Sequence, residues 1–228
     1  MNIKTFCLAA GLSLVATTHV IAAQPALIIS EVAPWASGNS SYAADWFELT
    51  NRSAAAIDIT GWKFDDNSNS AAAAVVLRGV TSIAAGESVV FLEGLATGAT
   101  DATINTNFVA AWFGANAPAG MKIGNYGGAG VGLSSNADAV NIFNAGGTLV
   151  TRIDFAASTV GLSFDNAAGL DNAAVSSLSV AGVSGAVLSF DGTATGSPGT
   201  ITAVPEPETY ALMLVGLIGL AMKRRRAG

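Results

Sequence analysis

The chain is poor in the residues that most enzymes use for nucleophilic catalysis and for binding zinc. Its 228 residues include one cysteine, Cys7, and one histidine, His19. A single cysteine cannot form an intramolecular disulfide, and thiolate or imidazole zinc sites need several such residues. Ser-His-Asp and Cys-His arrangements need a histidine in the mature protein. Carboxylates, lysine and tyrosine are therefore the main side chains left for catalysis.

Charged residues are also scarce, at 11% of the chain, and few of them are basic. Between Gln24 and Val204 there are five basic and fourteen acidic residues, which gives this part a net charge of about −9. A protein without a basic patch has no means of following phosphate groups, so we predict no nucleic-acid partner. The acidity is explained more simply as a contribution to solubility.

Both rare residues lie in a segment that has the features of a secretory signal peptide. Lys4 precedes the apolar run Phe6–Ala16, and small residues follow up to Ala23. This order predicts a signal peptide over residues 1–23, cleaved near Ala23. An N-terminal membrane helix is the alternative. Cleavage would remove Cys7 and His19, so the mature protein would contain neither cysteine nor histidine.

The other end of the chain carries a short acidic proline motif, an apolar run and a basic cluster. The motif is Val204-Pro205-Glu206-Pro207, the apolar run is Tyr210–Met222, and the cluster is Lys223-Arg224-Arg225-Arg226. Thirteen helical residues span roughly 20 Å, whereas the hydrocarbon core of a bilayer is about 30 Å thick. We therefore predict a marginal transmembrane segment over 210–222, held with its basic end in the cytoplasm. A permanent membrane anchor and a buried helix of a soluble domain are the alternatives.

The body of the chain has many short runs of β-forming residues with turn residues between them. Such a pattern, without a clear helical period, predicts one antiparallel β-sandwich, here over residues 24–196. A linker over 197–203 would then lead to the tail. Two Gly- and Ala-rich stretches, Gly94–Asn107 and Ala115–Gly132, are predicted to be loops. The predicted strand segments are Leu27–Val32, Trp46–Asn51, Ile57–Phe64, Val75–Leu77, Ser88–Leu92, Asp138–Phe143, Thr148–Phe155 and Ala186–Phe190.

The aromatic residues divide into two groups by their surroundings. Four of them lie in strand segments, and large rings dominate the cores of sandwiches, so we predict that these four are buried. They are Trp46, Phe47, Trp62 and Phe91. Trp35 and Trp112 lie in loop-like surroundings and are candidates for an exposed platform on which a ligand would stack.

Two sets of acidic and amide residues deserve separate interpretations. Glu31 and Glu48 would be a pair of catalytic carboxylates, as in glycoside hydrolysis, or would simply accept hydrogen bonds from backbone donors; we favour the second. Asp65, Asn67 and Asn69 alternate as at the start of a calcium loop, but the sixth position is Ser70 and not glycine. A solvated turn is the simpler interpretation, and we predict no metal or other cofactor.

The C-terminal pattern resembles a PEP-CTERM sorting signal over residues 204–228. The motif, the apolar segment and the basic cluster occur together, and that combination is specific. The resemblance implies that an exosortase, a membrane processing enzyme of Gram-negative bacteria, handles the tail. It also implies transient contact with the inner membrane and delivery to the cell surface or extracellular matrix, often together with exopolysaccharide.

The body resembles the lamin-tail domain, which implies an immunoglobulin-like sandwich without enzymatic activity. The matching segments are Ile28–Val32, Asp45–Asn51, Ile57–Phe64, Ile83–Glu87, Asp138–Val140, Gly146–Val150 and Gly196–Gly199. We therefore expect a non-enzymatic exported protein whose sandwich binds or scaffolds. An exopolysaccharide-binding module, which would stack sugars on Trp35 or Trp112, and a carboxylate-dependent hydrolase are the alternatives.

Overall fold

The structure is a computed structural model that describes residues 25–200. Within this range two five-stranded sheets dominate, accompanied by two short ladders and two helices. The helices are α1 (Ala36–Asn39) and α2 (Asp101–Phe113). The strands are β1 (Leu27–Ala33), β2 (Trp46–Asn51), β3 (Ile57–Asp58), β4 (Lys63–Asp65), β5 (Val75–Val76), β6 (Ser82–Ile83), β7 (Ser88–Gly94), β8 (Ile123–Gly127), β9 (Asp138–Phe143), β10 (Leu149–Phe155), β11 (Phe164–Asp165), β12 (Ala173–Val175), β13 (Val187–Leu188) and β14 (Thr195–Gly196).

The first sheet has the order β11-β1-β2-β7-β8 and the second β12-β10-β9-β4-β5. Most neighbouring strands are antiparallel, but β7 pairs with β8 and β10 pairs with β12 in parallel. The predicted all-β sandwich is confirmed, and the two parallel pairs make its sheets mixed. A parallel pair needs a crossover connection, and α2 lies in the crossover from β7 to β8.

The main core lies between the inner faces of the two sheets and is centred on aromatic rings. The Phe47 ring stacks on Phe64 at 4.9 Å and on Phe91 at 5.6 Å between centroids. Tyr126 packs against both Phe47 and Phe64. The predicted core positions Trp46, Phe47 and Phe91 are fully buried, whereas Trp62 is half-buried and packs against this core from the side.

The first sheet is also covered on its outer face, where a second core forms under α2. Side chains alternate along β7, so Val89 and Phe91 point into the main core while Val90 and Leu92 point outward. Trp46, Phe108 and Trp112 pack with the outward-pointing residues. Burial on both faces explains why β7 is a continuous apolar run and not an alternating one.

The prediction of a loop over Gly94–Asn107 is wrong, because α2 begins at Asp101. The buried side chains of α2 are Phe108, Ala111 and Trp112, all in its second half. Spacings of three and four residues place these side chains on one face of the helix. The first half has no apolar face of its own, so packing on the outer face of the first sheet stabilises the helix more than its local sequence does.

The prediction of a loop over Ala115–Gly132 is also wrong where it includes β8. Gly124 of this strand lies directly beside Phe91 of β7, and a Cβ atom at position 124 would collide with the Phe91 ring. A glycine within a strand often marks such a close approach. The glycines that made the segment look like a loop therefore serve strand packing.

The predicted strand Ile57–Phe64 is divided in two by a turn. Gly61 has a φ of +72°, a conformation that glycine adopts without strain, and it separates β3 from β4. β3 pairs with β6, whereas β4 enters the second sheet beside β9.

Within residues 25–200 no helix is long and apolar enough to cross a membrane. The predicted signal helix and the predicted transmembrane segment 210–222 lie outside the described residues.

Candidate functional site

The structure does not place the residues of the predicted sorting tail. The motif Val204–Pro207 and the basic cluster Lys223–Arg226 lie outside residues 25–200. The remaining candidate residues belong to the sandwich, and their positions can be compared with the expectations.

The prediction that Trp35 and Trp112 form an exposed platform is wrong. Each side chain is only 2% exposed. The Trp35 indole donates a hydrogen bond to the Leu162 carbonyl at 2.9 Å, and the Trp112 ring packs edge-on against Trp46 with centroids 5.9 Å apart. The loop-like surroundings of both residues were misleading, because α2 and the 35–44 segment fold over the outer face of the first sheet and bury both rings.

Glu31 and Glu48 form a buried cross-strand pair. They are register partners on β1 and β2, beside a β-bulge at Ile29–Glu31, and they are 1% and 0% exposed. Like charges placed opposite each other destabilise a sheet unless protonation or hydrogen bonds compensate. We call these two residues the carboxylate clamp, for the contacts described next.

The clamp accepts hydrogen bonds from the segment that follows β14. The Ser197 backbone N–H donates to both Glu31 oxygens, at 2.9 and 3.1 Å, and the Gly199 backbone N–H donates to Glu48. Further donors are the Ser163 and Ser197 hydroxyls to Glu31 and the Ser30 hydroxyl to Glu48 at 2.6 Å. The segment predicted to begin the linker is therefore attached to the sandwich.

Burial has the largest effect on the pKa values of the two clamp carboxyl groups. It raises the pKa of Glu31 to about 7, although the hydrogen bonds from Ser163 and Ser197 act in the opposite direction. Burial and then the neighbouring Glu31 charge raise the pKa of Glu48 well above its usual value. Both shifts favour the protonated form of the pair. Its enclosure and its backbone donors support the interpretation as hydrogen-bond acceptors over the catalytic one.

Asp65, the first of the three candidate calcium ligands, closes a turn. One of its carboxylate oxygens accepts from the Ser68 hydroxyl at 2.7 Å and from the Ser70 backbone N–H at 2.6 Å. The Asn67 backbone N–H donates to Asp138, and Asn69 has a φ of +50°. Among the described residues no group of three acidic, histidine or cysteine side chains could hold a metal ion. These contacts favour the turn interpretation.

A cavity of about 690 Å³ opens between α2, the 37–45 segment and the end of β7. Two of its lining residues, Asp45 and Glu93, extend the β2–β7 ladder beyond the pair Trp46–Leu92, and the Glu93 backbone N–H donates to the Asp45 carbonyl at 2.8 Å. The two carboxylates thus form a second cross-strand acidic pair. We call this space the α2 cavity. Other residues that line the cavity include Ser41, Thr100, Thr103, Asn107 and Leu133.

The two carboxylates of the α2 cavity have different hydrogen-bond partners. Asp45 accepts from the backbone N–H and hydroxyl of Ser37, at 2.7 and 3.1 Å. The Glu93 side chain accepts no hydrogen bond from any residue that the structure describes. Burial, followed by the Asp45 charge, raises the pKa of Glu93 to about 7. Sequence reasoning missed this pair, since nothing local marks two acids 48 positions apart as neighbours.

Comparisons with known proteins give two matches. The sequence profile of the Lamin Tail Domain family matches residues 21–157, which is more than half of the chain. The chain belongs to the lamin tail domain family. The PEP-CTERM protein-sorting motif matches residues 203–226. No curated protein and no solved structure matches significantly.

The sorting motif implies that this lamin tail domain protein is exported, contacts the membrane transiently and is sorted to the cell surface by an exosortase. Both matches are to domain types without catalytic activity. The family profile ends at residue 157, whereas the donors Ser163, Ser197 and Gly199 of the carboxylate clamp all follow it. The cover for Glu31 and Glu48 therefore comes from residues that follow the matched range.

Proposed function

We propose that this lamin tail domain protein is a non-enzymatic component of the cell surface or extracellular matrix of a Gram-negative bacterium. Residues 1–23 direct export, the sandwich over 24–196 binds or scaffolds, and the tail over 204–228 is a removable sorting label. The observation that carries the proposal is the sorting-motif match at 203–226 on a chain whose sandwich belongs to a non-catalytic family.

The absence of histidine and cysteine from the sandwich supports a binding or scaffolding role. The single residues of each type, Cys7 and His19, precede Gln24. Sequence reasoning singled out one carboxylate pair, Glu31 and Glu48. Both side chains are buried, and they already accept hydrogen bonds from the backbone N–H groups of Ser197 and Gly199. A hydrolase would need two carboxyl groups that reach a substrate from either side of its scissile bond.

The basic cluster Lys223–Arg226 provides the test of the sorting route. Replacing these four residues by glutamine should impair membrane topology or removal of the tail, because positive charge keeps the C-terminus on the cytoplasmic side. Mass spectrometry of the mature C-terminus in an exosortase-containing host, with surface labelling, measures both. Lys63→Gln in the sandwich is the control and should be sorted normally.

Two outcomes would contradict the proposal. If the variant with the neutral cluster is processed and delivered as the wild type is, the tail is not read as proposed. If the wild-type protein is recovered with Lys223–Arg226 still attached, the tail is a permanent membrane anchor.

A second candidate function, carbohydrate binding, is favoured by the α2 cavity and not by the tryptophans. Trp35 and Trp112 are buried in the second core, so Trp→Ala variants at these positions would test folding and not sugar stacking. The cavity offers hydroxyl and carboxylate groups to a ligand instead.

A further inference from the structure

The α2 cavity has an excess of negative charge that the protein does not balance. Asp45 and Glu93 face each other across the end of the β2–β7 ladder, and none of the residues that line the cavity is basic. Arg78 approaches the same end of β7, but its guanidinium is bonded to both oxygens of Asp101, at 2.8 and 2.9 Å. Asp45 is only 2% exposed and both of its oxygens accept hydrogen bonds from Ser37, so Glu93 is the carboxylate that remains open to a ligand.

A buried hydroxyl behind the pair is also without a partner. Tyr126 is the register partner of Glu93 on the parallel strand β8, so both side chains lie on the same face of the first sheet. Its hydroxyl is fully buried and forms no hydrogen bond with any described residue. Buried polar groups are normally satisfied, and an orphan of this kind points to a missing partner. Burial and then the charges of Glu93, Asp45 and Asp138 raise the pKa of this hydroxyl well above the usual value.

The local backbone makes room for the Glu93 carboxylate. A Cβ atom at Gly128 would overlap the Glu93 side chain, and one at Gly132 would come within 3.1 Å of its carboxylate oxygen. Two glycines that follow β8 thus form a cradle around this carboxylate. The cradle contributes no hydrogen bond to it.

The side chains that line the α2 cavity indicate the class of ligand that it would bind. Two carboxylates are too few for a calcium site, which takes six to eight oxygen ligands. An ammonium group carries one positive charge and three donors, which suit the open carboxylate of Glu93. The hydroxyl and amide groups of Ser41, Thr100, Thr103 and Asn107 would meet a ligand rich in hydroxyls, and Leu133 supplies an apolar wall.

We propose that the α2 cavity binds an amino sugar, with its ammonium group held at Glu93 beside Asp45 and its ring hydroxyls against α2. A lysine side chain shares the ammonium group but has no hydroxyls for the α2 wall to meet. The inference rests on the proposed role of the sandwich as a binding module, and it is independent of the sorting route.

Calorimetric titration of the full chain, purified in detergent, with the β-1,4-linked trimer of glucosamine tests the proposal. The N-acetylated trimer keeps the rings but removes the charge, and should bind at least tenfold more weakly. Glu93→Gln should reduce affinity for the charged trimer by at least tenfold with an unchanged melting temperature. Glu87→Gln makes the same change in net charge at the Lys122 ion pair and should bind normally.

Binding should also weaken as the pH falls from 7 to 5, because Glu93 gains a proton in that range, whereas above pH 7 the sugar amine begins to lose its own proton. The other titratable residues that line the cavity are Asp45 and Tyr42, and Asp191 accepts a hydrogen bond from the hydroxyl of Ser41, which also lines it. Burial raises the pKa of Glu93 to about 7, so Glu93→Gln should remove most of the pH dependence below neutral pH.

A second variant keeps the proposal testable if Glu93→Gln affects folding. Thr103 is exposed on α2 and lines the cavity, so Thr103→Trp should fill the space and block binding without touching the core. Three outcomes would each overturn the assignment to an amino sugar. They are equal binding of both trimers, normal binding by Thr103→Trp, and tighter binding of Nα-acetyl-lysine amide, which keeps the side-chain ammonium of lysine. Absence of binding by any probe would do the same and would leave the sorting route standing.

Discussion

The carboxylate clamp and the α2 cavity each contain one pair of acidic residues that lie opposite each other on neighbouring antiparallel strands. Glu31 and Glu48 are opposite each other on β1 and β2, and Asp45 and Glu93 are opposite each other where β2 and β7 end. Burial raises the pKa of both Glu31 and Glu93 to about 7. The first pair is covered by hydrogen-bond donors of the chain itself, whereas Glu93 faces an open cavity without a donor.

This difference shows that a perturbed pKa does not by itself separate a structural carboxylate from a binding one. Both pairs would be flagged by their titration alone. The hydrogen-bond partners make the distinction, since a structural carboxylate is satisfied within the fold and a binding one is not. Three predictions test how far the two pairs differ.

Removal of a clamp carboxylate should have the largest effect. Glu48→Ala deletes the acceptor of the Gly199 backbone N–H and of the Ser30 hydroxyl, and leaves a void at a fully buried site. The free energy of unfolding of the full chain should fall by about 2–4 kcal/mol in denaturant titrations. Glu48→Gln keeps the shape and one acceptor, and should cost less than about 1 kcal/mol. An alanine variant as stable as the wild type would show that the clamp does not hold the domain together.

The pH dependence of stability should come next in size. The folded state binds the Glu31 proton more tightly than the unfolded chain does, with a pKa of about 7 against 4.5. Its stabilising contribution is therefore complete below pH 4.5, declines as the pH rises through this window, and is lost above pH 7, a change of about 3 kcal/mol. Melting curves between pH 4.5 and 8 measure it, and Glu31→Gln should reduce their pH dependence, the remainder coming from Glu48 and Glu93, whose pKa values burial also raises. A wild-type protein that becomes more stable over this range would reverse the sign and refute the assignment.

Removal of the charge in the cavity should have the smallest effect on stability. Glu93→Gln breaks no hydrogen bond with a described residue and relieves repulsion from Asp45. The unfolding free energy should change by less than about 0.5 kcal/mol at pH 5, where Glu93 is protonated, and should rise at pH 8, where the substitution removes a buried charge. A loss comparable with that of Glu48→Ala would mean that Glu93 has a structural role and that the two pairs are equivalent.

The strands with strong local signals were predictable from the sequence, and the parts that depend on distant contacts were not. The segments that became β1, β2 and β9 are runs of β-forming residues, and their predicted positions agree with the structure. The helix α2 has a weak apolar pattern and depends on the outer face of the first sheet, which no local window shows. The same dependence explains why Trp112 was expected to be exposed.

The candidate sites follow the same rule. Glu31 and Glu48 were singled out from the sequence, but their donors Ser197 and Gly199 lie 166 and 151 residues further along the chain. Asp45 and Glu93 meet only through the register of β2 and β7, which places Trp46 opposite Leu92. A turn or a strand can be predicted from residues that are neighbours in the sequence, whereas a site formed by strand register depends on how the strands of the whole sheet pair.

The hydrogen bond from the Gly199 backbone N–H to Glu48 also limits how far from the folded domain the tail can be processed. Val204 follows Gly199 by five residues, and an extended chain covers at most about 3.5 Å per residue. The sorting motif therefore begins no more than roughly 18 Å from a fixed point on the domain. An exosortase that cuts near Pro205 has to work almost in contact with the folded sandwich, so the bulk of the domain sets a steric requirement on the enzyme that can process it.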